Sequence, residues 1–277
     1  MTNVQRIIKY CAIALAVSII IGIATVLISG VGYLFGIFDN DSKKLKDGKE
    51  IEITNKITNI EIELTSTNLI IERDKKIYAA TNNDKISYRI HNNTLIITEN
   101  NNKLFNNTAS DTELVIYIPD DHILNELSVE SGAGRVEIFD VTIKDLELDL
   151  GAGTVDLDFI DVIHEAAIDG GAGKLSINNS TLNNLELDMG VGSLELESKL
   201  TGQNEITCGV GTATINLTGS ENDYQVNIDK GLGATNVAGN AVKDGETIGT
   251  GKNIIEIEGG IGSITVDFIE DIPIYTQ

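Results

Sequence analysis

The stretch LELDLGAGTVDLDF (residues 146–159) contains the pattern that decides the fold. Apolar and acidic residues alternate on both sides of a Gly-Ala-Gly triplet, which is typical of two short β-strands that each bury one face. After residue 125, Gly-x-Gly units with an apolar middle residue recur seven times, at intervals of 19, 20, 19, 19, 22 and 29 residues. The glycines are Gly132 and Gly134, Gly151 and Gly153, Gly171 and Gly173, Gly190 and Gly192, Gly209 and Gly211, Gly231 and Gly233, and Gly260 and Gly262. This regular spacing indicates an internal structural repeat.

The apolar alternation changes phase across each glycine pair. Leu148 and Leu150 share one parity before the glycines, whereas Val155 and Leu157 share the other parity after them. Because successive side chains of a strand point to opposite faces, the chain needs a bulge or corner to keep both halves on one core. Glycine suits such a corner, and we expect the second glycine to mark the bend. We also expect the residue between the glycines to point inward; it is Ala133, Ala152, Ala172, Val191, Val210, Leu232 or Ile261.

The repeat predicts an all-β protein, a parallel β-solenoid (β-helix) of about 19–20-residue rungs. A unit of two short strands cannot bury its apolar face alone, but parallel stacking of successive units forms a continuous core. An antiparallel β-sandwich, which also has short alternating strands, is the competing architecture. We assign residues 126–277 to the Gly-x-Gly repeats, and residues 50–125 to a β-rich cap or degenerate rungs, because they alternate without the glycines.

The N-terminal region predicts a membrane anchor. Residues 10–38 form an uncharged run of 29 residues, which is longer than the roughly 20 apolar residues that a transmembrane helix needs. We expect residues 1–38 to form a cytoplasmic tip and a single transmembrane helix, and residues 39–49 to form a polar stalk. All 42 acidic residues and 18 of the 20 basic residues follow the run. We expect the soluble domain to be extracytoplasmic at the cell membrane.

These features together resemble a known family. The glycine-containing rungs, the IYIP segment at 116–119 and the N-terminal anchor resemble the putative-adhesin family of bacterial envelope proteins, a glycine-rich β-solenoid domain of unknown function found in LiaG-like proteins. The resemblance covers about residues 49–270. It implies a parallel solenoid, placement in the cell envelope and a non-enzymatic role.

Acidic residues occupy a repeated position in this pattern, two residues before the glycine pair. The position is acidic in six of the seven units and Thr207 in the other; the acidic residues are Glu130, Asp149, Asp169, Asp188, Asp229 and Glu258. Stacked rungs would align them into a ladder of outward carboxylates. The ladder has two interpretations, a Ca²⁺ site built from carboxylate oxygens and a solvated face that aids solubility. The lack of a dedicated calcium loop favours the solvated face.

Composition excludes several other classes of function. A formal net charge of −22 repels nucleic-acid phosphates, and two cysteines cannot form a disulfide framework or a four-thiolate zinc site. His91, His122 and His164 lack metal-ligand spacing. No nucleophile–base pair is evident, so we predict no enzymatic activity and no cofactor.

The sequence therefore predicts a membrane-anchored binding or scaffold protein of the cell envelope. Its partners would be the lipid bilayer, through the N-terminal helix, and an envelope protein or glycan. The alternative is a Ca²⁺-dependent carbohydrate-active β-helix enzyme that uses the acidic face, although Arg135 and Lys174 are too scattered to define its basic site.

Overall fold

The computed structural model describes residues 49–53, 56–100 and 112–270. The predicted anchor (residues 1–38) and nearly all of the predicted stalk lie outside these residues. Among the described residues, no helix has the length and apolar character needed to span a bilayer. A single 3-10 turn, Glu221–Asp223, is the one helical element in the described ranges.

The described ranges contain eighteen β-strands. Alternating apolar residues form them, since a period of two places every second side chain on one face. The strands are β1 Lys49–Glu52, β2 Asn59–Leu64, β3 Asn68–Asp74, β4 Tyr78–Thr81, β5 Ile86–His91, β6 Thr94–Glu99, β7 Glu113–Pro119, β8 Ile123–Phe139, β9 Thr142–Asp158, β10 Asp161–Asp169, β11 Ala172–Asn183, β12 Leu185–Thr201, β13 Gln203–Thr218, β14 Tyr224–Asp229, β15 Leu232–Val237, β16 Asn240–Ala241, β17 Glu246–Ile248 and β18 Asn253–Ile269.

Parallel pairing stacks these strands into nine rungs within the described residues. From one end to the other the rungs are β6 with β7, β2 with β3, β8, β9, β10 with β11, β12, β13, β18, and β14 with β15. The central registers advance by one repeat, so that Leu148 lies beside Ile168 and Ile168 beside Leu187. The parallel solenoid is therefore correct, and the antiparallel sandwich is excluded as the main architecture.

The rungs at both ends do not follow chain order. β2 lies between β6 and β8, although β6 follows it in the chain. At the other end β18 pairs with β13 on one side and with β14 and β15 on the other. The irregular glycine intervals of 22 and 29 residues arise here, because residues 219–252 build the outermost rung before the chain returns to fill the gap.

Short antiparallel strands cover both ends of the stack. β5 pairs with β6, and β4 joins β7 to β1 at the N-terminal end. β16 and β17 pair with β15 and β14 at the C-terminal end. Such additions shield the open strand edges that a solenoid leaves at its ends.

Inward columns of aliphatic side chains form the core. Leu127, Leu146, Ala166 and Leu185 occupy one such column, and each is at most 2% exposed. Burying a leucine or isoleucine stabilises the fold by about 1.5–3 kcal/mol relative to leaving it in water. The core is continuous from Ile51 to Val266, and it holds the faces of the rungs in fixed register.

The glycine pairs form a corner at which neighbouring backbones come very close. The second glycine has positive φ in six of the seven pairs, the exception being Gly233; the angle is +147° at Gly192. A Cβ on Gly192 would also overlap the carbonyl oxygen of Gly173 in the next rung, and a Cβ on Gly190 would overlap that of Gly171. The corner thus requires glycine for close backbone approach as well as for its φ angle.

The prediction that the residue between the glycines points inward is wrong. Leu232 is 75% exposed, Ile261 is 47% exposed, and Ala133 is exposed. The other four, Ala152, Ala172, Val191 and Val210, are only half-buried. The inward series ends at buried Leu150 and resumes at buried Val155, so the four residues between them complete the phase change outside the core.

Candidate functional site: the acidic face and the glycine corner

The structure places the six predicted acidic residues in one column on the outside of the stack. In spatial order the column is Glu63, Glu130, Asp149, Asp169, Asp188, Thr207, Glu258 and Asp229, each beside the next in parallel register. The acidic members are all exposed. Glu258 precedes Asp229 in this order because β18 lies between β13 and β14 in the stack. These residues and the column beside them are called the acidic face below.

The second column runs parallel to the first, two residues earlier along each strand. Its members are Glu61, Ser128, Glu147, Ala167, Glu186, Glu205, Glu256 and Asn227. Sequence reasoning missed Glu61 and Glu63, because Thr65-Ser66-Thr67 replaces the glycine pair in their rung. The alternation NIEIEL at 59–64, which matches the strand before each glycine pair, is the signal that could have found them.

Carboxylates on adjacent parallel strands are about 4.8 Å apart along the stack, and like charges at that separation repel. A divalent cation or a cationic partner would relieve this repulsion. In the described ranges, no three carboxylate, imidazole or thiol groups converge to hold one metal ion. The calcium interpretation of the ladder remains a prediction.

The strand halves that follow the glycine pair form another outer surface of the stack, called the second face below. On this face the basic residues after the glycine pair are neutralised by neighbouring acids. Arg135 contacts Glu137, and its Nη2 atom lies 2.9 Å from Asp156 Oδ2. Lys174 Nζ lies 2.7 Å from Glu195 Oε2. Burial raises the pKa of Glu137 above its ordinary value, and the charge of Arg135 opposes that rise. These pairs give Arg135 and Lys174 structural partners and do not bring the two bases together.

The space under the glycine corner is small. Two cavities beneath it have volumes of about 10 and 20 Å³. A cavity of that size holds one water molecule, not a sugar or a cofactor. Cys208 borders the larger cavity, and burial raises the pKa of its thiol to about 11, so it stays protonated at neutral pH. Binding at the corner must therefore involve its outer surface.

A buried carboxylate replaces the glycine corner at the N-terminal end. Glu99 Oε2 accepts hydrogen bonds from the backbone N–H groups of Thr65, Ser66 and Thr67 at 2.8, 3.0 and 3.2 Å. Asn83 Nδ2 donates to Glu99 Oε1 at 3.1 Å. Burial alone raises the pKa of Glu99, but the backbone hydrogen bonds outweigh burial and hold it below its ordinary value. Sequence reasoning missed this group.

The histidines are dispersed, as their spacing suggests. His164 Nδ1 lies 3.5 Å from Asp145 Oδ1 at an exposed position, and exposed His91 lies at the end of β5. His122 lies in the turn before β8. The structure brings none of the three beside another.

Comparisons with known proteins support the fold described above. The family model described as Toastrack DUF4097 matches residues 48–240. No curated protein is significantly similar in sequence.

Among solved structures, the chain is similar to a putative adhesin from Bacteroides fragilis, with 15% identity, a TM-score of 0.52, and coverage of 80% of this chain and 96% of that one. It is also similar to a putative cell adhesion protein from Clostridium sporogenes, with 20% identity, a TM-score of 0.40, and coverage of 80% and 100%. At 15% identity the likeness to the Bacteroides fragilis protein shows the fold alone.

Proposed function

Because this chain belongs to the Toastrack DUF4097 family, we propose that it is a membrane-anchored binding or scaffold protein of the bacterial cell envelope. In this proposal residues 1–38 anchor the chain, the solenoid is extracytoplasmic, and the role is adhesive or structural, not enzymatic. The adhesin descriptions of the similar solved structures are consistent with it.

The observation that carries the proposal is the acidic face. Its two columns extend over eight rungs, from β2 to β14, with carboxylates at seven of the eight positions in the first column and five of the eight in the second. A repeated surface of this kind suits an extended partner, such as an envelope glycan or a protein, that contacts several rungs at once. The partner would carry cationic groups or bring cations with it, since the face repels anions.

In-cell photo-crosslinking tests the proposal. A photoreactive amino acid replaces Glu186, at the centre of the acidic face, or Thr214, on the second face, in the full chain. We expect a strong adduct from position 186 and little from position 214. Digestion with a muramidase or a protease then distinguishes a glycan from a protein partner. Equal adducts from both positions, or none from 186, would refute the acidic face as the binding surface.

Membrane anchoring has its own readout. In the same cells the chain should remain with the membrane after alkaline carbonate extraction, and deletion of residues 1–38 should release it. Protease added to intact, wall-stripped cells should degrade the solenoid if it is extracytoplasmic. The enzymatic alternative predicts turnover of cell-wall glycans by the full chain in Ca²⁺, which the proposal does not.

A further inference from the structure

The N-terminal end of the solenoid differs in charge from the rest of the molecule. This end consists of the outermost strands β1, β4 and β5 with the loops that join them to the first rungs. Residues 49–53, 56–58 and 75–93, which form it, contain six basic and three acidic residues, whereas residues 113–270 contain seven basic and 29 acidic residues. The six basic residues are Lys49, Lys56, Lys75, Lys76, Lys85 and Arg89. They are called the basic end below.

All six side chains of the basic end are exposed. Within the described ranges none of them forms an ion pair. Five lysines elsewhere in these ranges also lack one, but they are scattered along a strongly acidic part of the chain; they are Lys144, Lys199, Lys230, Lys243 and Lys252. The charges of the basic end are thus available to a partner outside the fold. The partner must be anionic.

Apolar side chains lie at the same end. Tyr88 and Ile90 on β5 are 45% and 42% exposed. They lie opposite Ile97 and Leu95 of β6, which are fully buried, so they extend the core face beyond the last rung. Among the described strands β5 pairs with β6 alone, which leaves it at the edge of the sheet. A tyrosine and an isoleucine beside unpaired lysines form the combination that favours the interface between water and lipid.

The chain also enters the fold at this end. β1 begins at Lys49, about ten residues after the predicted span at 10–38. Ten residues reach at most about 35 Å even when fully extended. An anchored chain therefore keeps this end close to the bilayer, which raises its effective concentration there.

We propose that the basic end docks on the anionic surface of the bilayer. Lys75, Lys76, Lys85 and Arg89 would contact the phosphate groups of anionic lipids, and Tyr88 and Ile90 would enter the headgroup region. The same orientation holds the acidic face away from the negative membrane surface. This inference rests on the membrane anchoring in the proposed function.

Tryptophan fluorescence tests the docking, because the chain contains no native tryptophan. The full chain with Tyr88→Trp is reconstituted into phosphatidylcholine vesicles, with or without phosphatidylglycerol, that carry lipids brominated near the headgroup. The matched control is Leu232→Trp at the opposite end, where the native side chain is 75% exposed. With phosphatidylglycerol we expect bromine to remove roughly half of the emission from position 88, because an interfacial side chain lies within quenching range, and none from position 232.

Charge reversal and salt distinguish lipid docking from simple proximity. Lys75→Glu, Lys76→Glu and Arg89→Glu together should abolish the quenching, as should about 1 M NaCl, which shortens the Debye length to about 3 Å. Unquenched emission from position 88 in protein that floats with phosphatidylglycerol vesicles would overturn the docking and leave the anchor intact. Protein that fails to float with either kind of vesicle would refute the anchor. Mixing that protein with preformed phosphatidylglycerol vesicles would then test docking alone, with quenching for it and no quenching against it.

Discussion

At the scale of single residues, the stack depends on a few backbone contacts that leave no room for a side chain. At every glycine corner from Gly151 onward, the carbonyl oxygen of one rung occupies the space that a Cβ of the next rung would need. At the N-terminal end Thr65, Ser66 and Thr67 take the place of the glycine pair. There the Glu99 carboxylate accepts hydrogen bonds from their three backbone N–H groups. An unsatisfied buried donor costs about 1–3 kcal/mol, so this carboxylate has a large local effect.

Gly192→Ala tests the close approach at the corner. The new methyl group would overlap the Gly173 carbonyl and would sit at a φ of +147°, so we expect a loss of more than about 3 kcal/mol in the free energy of unfolding. Gly245→Ala is the matched control, because Gly245 has a φ of +72° but no atom within 4 Å of its Cβ position. It should cost only about 1–2 kcal/mol. Urea unfolding of both variants measures the difference, and equal losses would show that φ alone requires glycine.

Glu99→Gln tests the buried carboxylate. At neutral pH the variant should lose about 1–3 kcal/mol, since the amide replaces a charged acceptor of three backbone N–H groups. The folded-state pKa of Glu99 lies below its ordinary value, so its stabilising effect is complete above that ordinary value, near 4.5, and disappears as pH falls through the folded pKa. The difference between variant and native protein should therefore shrink below about pH 4. Exposed Glu63→Gln, measured alongside at neutral pH, should cause no such loss.

At the scale of strands, the two ends of the solenoid use the same arrangement. At each end one strand lies in the stack between two strands that are closer in sequence to each other: β2 lies between β6 and β8, and β18 lies between β13 and β14. Short antiparallel strands then cover the outermost rung. Placing β18 between β13 and β14 lets the last strand pair on both sides. The final long strand is therefore not an open edge.

Engineered disulfides test this strand order. Thr207 and Glu258 lie side by side on β13 and β18, whereas Asp229 is one rung farther away. In a chain without native cysteines, Thr207→Cys with Glu258→Cys should form a disulfide, since adjacent strands fall within the Cα separation of about 4.4–6.8 Å that a disulfide needs. Thr207→Cys with Asp229→Cys should not. Mass spectrometry after mild oxidation gives the answer, and the reverse result would mean that the rungs stack in chain order.

At the scale of the whole molecule, charge is distributed unevenly. Two acidic columns run along most of the stack, while six exposed basic residues and only three acidic residues lie at the end where the chain enters. The net charge of −22 works against a compact state, and the continuous aliphatic core offsets it.

Salt should stabilise the molecule. Raising ionic strength from about 0.01 to 0.15 M shortens the Debye length from about 30 to 8 Å, which screens repulsion within the acidic columns, and we expect Tm to rise by several degrees. Asp149→Asn with Asp169→Asn and Asp188→Asn should raise Tm at low salt and reduce the salt effect. A Tm that does not change with salt would contradict repulsion along the columns.

Thermal unfolding in the presence of divalent cations tests the calcium interpretation. At matched ionic strength, millimolar Ca²⁺ should raise Tm above the value in Mg²⁺ only if the ladder binds Ca²⁺ specifically, because a ligand that binds the folded state stabilises it. Identical curves in the two cations would favour a solvated face.

The sequence by itself determined the repeating unit and the outward position of the acids, and it favoured parallel stacking, because a period of two and a glycine-marked phase change leave few ways to bury Leu148 and Val155 together. The parallel pairing of the strands excluded the antiparallel sandwich. Local pattern could not give the order of the end rungs, the Glu99 hydrogen bonds or the exposure of Leu232 and Ile261. Those depend on contacts between residues far apart in the chain. At the corner, the glycine backbones of neighbouring rungs approach too closely for side chains at the glycine positions. That approach is a property of the stacked rungs and not of one repeat.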